Sequence, residues 1–185
     1  WMVLLFGRAE DEILKGLDIA AAGFAEAAQR LDGLPEIELV IRGARQGTCA
    51  ALVERAREWA RDRALNVRVK PYTTQPARLA DDLRAASLVV MPSRAEGFGL
   101  VGAEAIIART PTLVSSASGL GRLLIETLRK ESAWNVVETT SDDRATVENW
   151  SRAIEAVLRN RKGAFAQAEE LHRSLAEKIT WSGET

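Results

Sequence analysis

Two glutamates lie eight positions apart in a stretch that is otherwise rich in glycine and apolar residues. Glu96 and Glu104 both belong to the segment SRAEGFGLVGAEAI, residues 93–106. Burying a carboxylate without a partner is costly, whereas an ionised carboxylate readily accepts hydrogen bonds from hydroxyl groups such as those of sugars and ribose. The pair therefore suggests a ligand that carries hydroxyl groups. Alternatively, Glu96 caps a helix and Glu104 is a surface residue.

Glycines mark the start of a helix in the same segment. Gly97, Gly99 and Gly102 let the backbone turn sharply and approach a ligand closely. We expect the helix to start near Leu100, where its free amides and its dipole would form an anion site. An anion site with a hydroxyl acceptor on either side suits a ligand that joins a sugar, a diphosphate and a ribose.

Two cations follow the first apolar run of the chain. Gly7 allows a tight exit from that run, Arg8 comes directly after it, and Lys15 lies at the start of the next helix. An arginine fork and a lysine point charge could together hold an anion. Alternatively, both are solvated surface charges, with Arg8 paired to the acidic residues 10–12. The loop 115–121 could add further amides to the same anion, or it could be a plain turn.

Strand-length and helix-length segments alternate along the whole chain and would position these residues. The expected strands are 2–6, 37–41, 66–69, 87–91, 111–114 and 134–137. Between them run helical patterns, the first with a buried face at Leu14, Leu17, Ala21, Phe24, Ala28 and Leu31. This alternation predicts an α/β fold, a doubly wound parallel sheet with helices on both faces. Ligands bind such sheets at the carboxyl ends of the strands, where the candidate residues lie.

Composition excludes several classes of protein. The 185 residues fit one domain, 1–185, with 46% hydrophobic and 28% charged residues. A net charge of -1 argues against a nucleic-acid-binding protein. No apolar run reaches the roughly 18 residues of a membrane span, and the single Cys49 allows no internal disulfide, so we expect a cytoplasmic protein. The chain opens directly on a strand-like run, which suggests a piece of a longer protein.

A family resemblance extends over nearly the whole chain. PSRAEGFGLVGAEAI resembles the E-x7-E motif of the large retaining glycosyltransferase family with the GT-B fold. FGR…LKG resembles the Gly-Arg…Lys-Gly element of that family, ELVIRG its second strand, and TPTLVSS…SGLG the strand and glycine loop after the motif. Trp181 resembles the tryptophan near the end of its final helix. The resemblance implies the carboxyl-terminal, donor-binding half of such an enzyme, a Rossmann-like domain that lacks the amino-terminal acceptor domain and is inactive alone.

The resemblance also implies a role for each matching residue. Arg8 and Lys15 would hold the diphosphate of a nucleotide sugar and stabilise the charge on the leaving nucleotide, without a metal or another cofactor. Glu96 would contact hydroxyls of the donor sugar. The remaining donor-binding residues would be Gly7, Phe98, Gly99, Leu100, Glu104 for the ribose, and Ser118 with Gly119 for the distal phosphate. The base would lie near residues 70–73.

The sequence departs from the family pattern at three places. Six residues separate Arg8 from Lys15, the glycine loop reads SGLGRLLIE, and RKESAWNVV replaces a glycine-rich turn before the last strand. These departures favour an alternative, a non-catalytic nucleotide or nucleotide-sugar sensor within a larger protein. The lone His172 is expected to face solvent, and no cluster of cysteine and histidine suggests a metal site.

Overall fold

Six parallel strands form one sheet in this computed structural model. The structure describes residues 1–7, 11–31, 33–61, 63–128 and 134–181, and it describes side chains only up to residue 178. The spatial order is β3-β2-β1-β4-β5-β6. The strands are β1 Met2–Phe6, β2 Glu38–Ala44, β3 Val67–Pro71, β4 Leu88–Met91, β5 Thr112–Ser115 and β6 Val136–Val137. The order reverses between β1 and β4, which pair directly, so the topological switch lies at the centre of the sheet.

Helices cover both faces of the sheet, which confirms the predicted fold class. They are α1 Leu17–Arg30, α2 Cys49–Ala60, α3 Pro76–Ala85, α4 Leu100–Ile107, α5 Gly119–Leu128, α6 Asp143–Arg159 and α7 Arg161–Trp181. Among the described residues, no helix combines the length and the apolar character needed to cross a membrane.

The sheet separates two hydrophobic cores because alternate side chains of a strand point to opposite faces. Val3 and Leu5 of β1 pack in the core beneath α1, α2 and α6, together with Phe24 and the fully buried Trp150. Leu4 packs in the other core, beneath α3, α4 and α5. The continuous apolar run predicted for β4 is buried along its whole length, as expected for a central parallel strand.

The first helix begins later than the sequence pattern predicts. Leu14 was expected on the buried face, but it is 53% exposed, and α1 starts at Leu17. The physical reason is Gly16, which has a φ of 70° and therefore cannot continue a right-handed helix. Residues 12–16 form turns instead. The last strand is also shorter than predicted, since Trp134 lies in a turn before β6.

Candidate functional site

The loops that follow β1 and β4 dock tightly on each other at the topological switch. We call the two docked segments, residues 13–18 and 92–96, the β1–β4 junction. A Cβ atom on Gly16 would lie 2.1 Å from the carbonyl oxygen of Pro92, so only glycine fits here. The amide of Arg94 donates to the carbonyl of Leu14 at 2.9 Å. The backbones of both segments therefore approach each other more closely than two side-chain-bearing residues would permit.

Lys15 and Glu96 form an ion pair within this junction. The ammonium of Lys15 donates to Oε2 of Glu96, and their side chains are 22% and 18% exposed. Gly7, at the end of β1, lies beside the aliphatic part of Lys15, with 3.8 Å between the position of a Cβ on Gly7 and the Lys15 Cδ. Lys15 is thus a half-buried, paired cation, and the alternative that it is a solvated surface charge is wrong.

The amino terminus of α4 opens beside this ion pair. Gly99 precedes the helix with a φ of 101°, and no side chain caps it, so the alternative that Glu96 is the helix cap is wrong. Within the described part of the chain, the amides of Leu100 and Val101 have no acceptor, as is usual for the first turn of a helix. Phe98 and Leu100 are both exposed. Free amides at this end of a helix attract anions.

Backbone hydrogen bonds join the loop after β4 to the loop after β5. The amide of Gly119 donates to the carbonyl of Glu96 at 3.3 Å, and the amide of Leu120 donates to the carbonyl of Phe98 at 2.7 Å. A Cβ on Gly119 would lie 2.1 Å from the carbonyl oxygen of Gly97. The β5 loop therefore supports the segment that carries Glu96.

The hydroxyl of Ser118 is engaged within its own turn. It donates to the carbonyl of Ser115 at 2.7 Å and accepts from the amide of Gly121 at 2.9 Å. The amide of Ser118 donates to Ser115 as well. These groups of the predicted phosphate contact thus serve internal hydrogen bonds.

Glu104 lies on α4 and is exposed. Its carboxylate forms no hydrogen bond or ion pair with any residue that the structure describes. The two glutamates that the sequence pairs by spacing therefore differ in environment. Glu96 is held by a cation, whereas Glu104 offers its oxygens to solvent or to a ligand.

Arg94 connects the β1–β4 junction to two helices. Its guanidinium donates to both carboxylate oxygens of Asp18 on α1, each at 2.8 Å, to Asp143 on α6 at 2.8 Å, and to the carbonyl of Ile13 at 2.9 Å. The hydrogen bonds with Asp18 outweigh the partial desolvation and, with those to Asp143, raise the pKa of Arg94 above its ordinary value. The guanidinium is therefore charged at neutral pH, as arginine ordinarily is.

A buried group of charges lies near the carboxyl end of β2 and β3. Arg42 donates to Asp82 at 2.6 Å and to the carbonyl of Pro71 at 2.9 Å, and Lys70 donates to Asp82 at 2.7 Å. Burial opposes the ionisation of Asp82, but the hydrogen bonds from Arg42 and Lys70 outweigh it and hold the pKa of Asp82 below its ordinary value. These contacts anchor the end of β3. The base of a nucleotide is predicted to lie nearby, at residues 70–73.

The sequence analysis also made predictions for Arg8 and His172. Arg8 lies outside the described residues. His172 was expected to face solvent, but it is partly buried and lines an apolar groove of about 180 Å³ together with Phe98 and Leu175. The described residues contain no group of three or more histidine, cysteine, aspartate or glutamate side chains that could hold a metal ion.

Comparison with known proteins identifies the family. Residues 1–185 match the family described as Family 4 Glycosyltransferase in conflict systems. The chain belongs to this glycosyltransferase family. It is 33% identical over 186 residues to D-inositol 3-phosphate glycosyltransferase 1 of Catenulispora acidiphila, a match that covers 94% of this chain and 43% of that protein. It is 38% identical over 109 residues to the D-inositol 3-phosphate glycosyltransferase of Rhodococcus erythropolis, covering 58% and 24%. The glycosyltransferase chain thus spans less than half the length of these relatives.

Two solved glycosyltransferase structures have a similar fold. The catalytic domain of cholesterol-alpha-glucosyltransferase from Helicobacter pylori has a TM-score of 0.66 and 16% identity, with coverage of 96% of this chain and 98% of that one. The carboxyl-terminal domain of a group 1 glycosyl transferase from Francisella tularensis has a TM-score of 0.69 and 18% identity, with coverage of 97% and 86%. This glycosyltransferase domain therefore has the GT-B, Rossmann-like fold that the sequence resemblance predicts.

Several residues that shape the site of this glycosyltransferase were not found from the sequence. Arg94, its partners Asp18 and Asp143, and the buried pair of Arg42 and Asp82 carry no motif of their own. The sequence does contain an indication for Arg94, because a charged side chain in a segment that is otherwise apolar and rich in glycine needs a partner. No signal was present for its partners, since they come from distant parts of the sequence.

Proposed function

We propose that this domain binds a nucleoside diphosphate sugar as the donor for retaining, metal-independent glycosyl transfer. The observation that carries the proposal is the Lys15–Glu96 pair, which lies beside the open amino terminus of α4 at the carboxyl edge of the sheet. This arrangement offers a cation and free amides to a diphosphate, and carboxylates to the hydroxyl groups on either side of it. The family membership supports a sugar nucleotide as the ligand.

The chemistry of the step follows from where charge develops. When the bond between the sugar and the diphosphate breaks, negative charge grows on the leaving phosphate oxygens. Lys15, together with Arg8 and the amides of Gly99 and Leu100, would stabilise that charge by electrostatic catalysis. Glu96 would hold hydroxyls of the sugar, and the retaining outcome is proposed from the E-x7-E resemblance.

The remaining predicted residues are proposed to bind the nucleotide. Glu104 has a free carboxylate, as a ribose acceptor requires. Phe98 is exposed at the rim of the site, and Gly7 leaves room beside Lys15. Ser118 and Gly119 would act mainly by supporting the Glu96 loop, since their amides donate to protein carbonyls.

The acceptor is proposed to bind to a separate amino-terminal domain, as in the GT-B resemblance. We accordingly expect no transfer by residues 1–185 alone. An assay of nucleotide release from sugar nucleotides tests this point. The isolated domain should release none, and steady turnover by it would show that the site is complete within this chain.

A second candidate function is a binding module that senses a nucleotide sugar without transferring it. It is favoured by the loop after β5, because the amides of Ser118, Gly119 and Leu120 all serve internal hydrogen bonds and leave none for a distal phosphate. Donor binding would then be weak or serve only for sensing. Turnover by the full-length protein would decide against this candidate.

Isothermal calorimetry of the domain with UDP, GDP and ADP tests the donor site. We expect one of them to bind at least about tenfold more tightly than the corresponding monophosphate, because the second phosphate gains charge-assisted hydrogen bonds. Circular dichroism of the same sample verifies that the domain is folded. If a folded domain bound none of the three diphosphates, the proposed function would be overturned.

A further inference from the structure

Arg94 is the most highly connected side chain at the β1–β4 junction. It reaches α1 through Asp18, α6 through Asp143, and the turn before Lys15 through the carbonyl of Ile13. Its backbone amide makes a further contact with the same turn, at the carbonyl of Leu14. One residue thus holds the segment that carries Lys15 by both its main chain and its side chain.

The position of Arg94 in the chain makes these contacts relevant to the site. It lies two residues before Glu96, and the carbonyls that it binds, those of Ile13 and Leu14, come directly before Lys15 in the chain. The two members of the ion pair therefore extend from two segments that Arg94 ties together. A lysine could not replace it, because an ammonium cannot make a bidentate contact with Asp18 while also reaching a carbonyl and a second carboxylate.

We propose that Arg94 is a positioning residue that sets the distance between Lys15 and Glu96 and so preorganises the donor site. The proposal rests on the proposed function for its consequence in ligand binding, but its structural part is independent of any ligand. Small displacements of groups that contact a reacting ligand are costly, and for this reason such groups are commonly held by a second layer of hydrogen bonds.

The ligand-independent test is the chemical reactivity of the Lys15 amine. The domain is treated with a low concentration of an amine-acetylating reagent, and mass spectrometry gives the rate at Lys15 relative to the exposed Lys162 in the same molecule. We expect Arg94→Lys to raise this ratio about tenfold, since the amine loses a charge-assisted hydrogen bond that protects it. Asp18→Asn should raise the ratio as well, and Asp143→Asn should change it little, because Asp143 is 76% exposed.

Arg30 offers a matched control. It also joins α1 to α6, through Glu155 at 2.5 Å, but it lies at the opposite end of α1 from the site. Arg30→Lys should lower the melting temperature without changing the reactivity of Lys15. If Arg94→Lys and Asp18→Asn both left the Lys15 ratio at the wild-type value in a folded domain, the positioning role would be overturned and Arg94 would be only a structural bridge.

A second experiment, the measurement of nucleotide binding, distinguishes failure of the positioning role from failure of the proposed function. With the diphosphate that the wild type binds, Arg94→Lys should weaken binding about tenfold, whereas Arg30→Lys should not change it. If the wild type bound none of UDP, GDP and ADP while the reactivity of Lys15 still rose in Arg94→Lys, the positioning role would stand and the donor function would fail. Unchanged nucleotide affinity together with unchanged reactivity in Arg94→Lys would overturn the positioning role alone.

Discussion

Lys15 and Glu96, which are 81 residues apart in the sequence, form an ion pair where the strand order of the sheet reverses. Both side chains are mostly shielded from solvent, so their attraction is stronger than that of an exposed pair. Glu96 supplies the anion that pairs with Lys15. An incoming diphosphate would replace it as the partner of Lys15 and release Glu96 for the hydroxyls of the sugar.

Replacement of Lys15 should weaken diphosphate binding specifically. Lys15→Ala is expected to lower the affinity for the nucleoside diphosphate about 10- to 100-fold, since a hydrogen bond to a charged group contributes about 1.5–3 kcal/mol. Calorimetry with the diphosphate and with the bare nucleoside measures the effect, and Lys162→Ala on the exposed start of α7 is the control. An equal loss for the bare nucleoside would contradict a diphosphate contact.

Gly16 should be far less replaceable than another glycine with similar backbone geometry. Gly16 and Gly33 have φ values of 70° and 81°, but a Cβ on Gly16 would meet the Pro92 carbonyl at 2.1 Å, whereas one on Gly33 would meet nothing within 4 Å. We expect Gly33→Ala to cost about 1 kcal/mol of unfolding free energy and Gly16→Ala at least about 3 kcal/mol, because overpacking adds to the backbone strain. Urea unfolding measures both, and equal losses would show that the junction tolerates a side chain.

Gly119 should support the Glu96 loop through its lack of a side chain. Gly119→Ala places a methyl group against the carbonyl of Gly97 and should cost about 1–3 kcal/mol of stability through overpacking. It should also reduce nucleotide affinity, because the loop that carries Glu96 must move away. Gly97→Ala is the control for the loss of stability, since a Cβ there has nothing within 4 Å. Chemical denaturation and calorimetry on both variants give the comparison. Unchanged nucleotide affinity in Gly119→Ala would show that the loop after β5 does not support the binding function of the loop that carries Glu96.

Asp82 should contribute stability that depends on pH. Its pKa in the folded domain lies below the ordinary value of 3.8, so its contribution is complete above that pH and is lost as the pH falls through the folded pKa. Asp82→Asn should lack this acid-dependent component. At neutral pH it should also be destabilised by roughly 3–5 kcal/mol, because Arg42 is left buried without its counterion.

The measurement for Asp82 is urea unfolding at neutral pH and at several values below pH 4. Asp81→Asn provides the control, because Asp81 is exposed and, among the residues that the structure describes, its ion-pair partner is Arg84, three residues further along α3. Such a pair contributes less than about 1 kcal/mol. If both variants had the same stability at neutral pH, the buried charges near β3 would not stabilise the fold.

Glu104 should recognise ribose and no other part of the ligand. Glu104→Gln is expected to weaken binding of the nucleoside diphosphate about tenfold, the effect of losing charge-assisted hydrogen bonds. The same substitution should have no effect on a 2′,3′-dideoxy diphosphate, which lacks the hydroxyls. Glu126→Gln on the exposed face of α5 is the control. Equal losses for both nucleotides would place Glu104 away from the ribose.

The fold class was predictable because it depends on periodicity that is local in the chain. The apolar runs at β1 and β4 and the helical spacing around Phe24 each report burial within a few residues. Element boundaries were less predictable. The start of α1 was misplaced because a hydrophobic pattern that continues back to Leu14 does not reveal the left-handed conformation of Gly16 or its close packing against Pro92.

Motifs and strand order are encoded locally, so the residue types of the candidate site and the strand ends that carry them follow from the amino-acid sequence. The partners of these residues follow only from the folded arrangement of the chain. That Lys15 binds Glu96, that Arg94 holds both segments, and that the Ser118 hydroxyl is occupied all depend on the packing of loops far apart in the chain. The physical reason is that an ion pair or a hydrogen bond is set by distances of about 3 Å, and distances that small between remote residues exist only once the sheet has assembled.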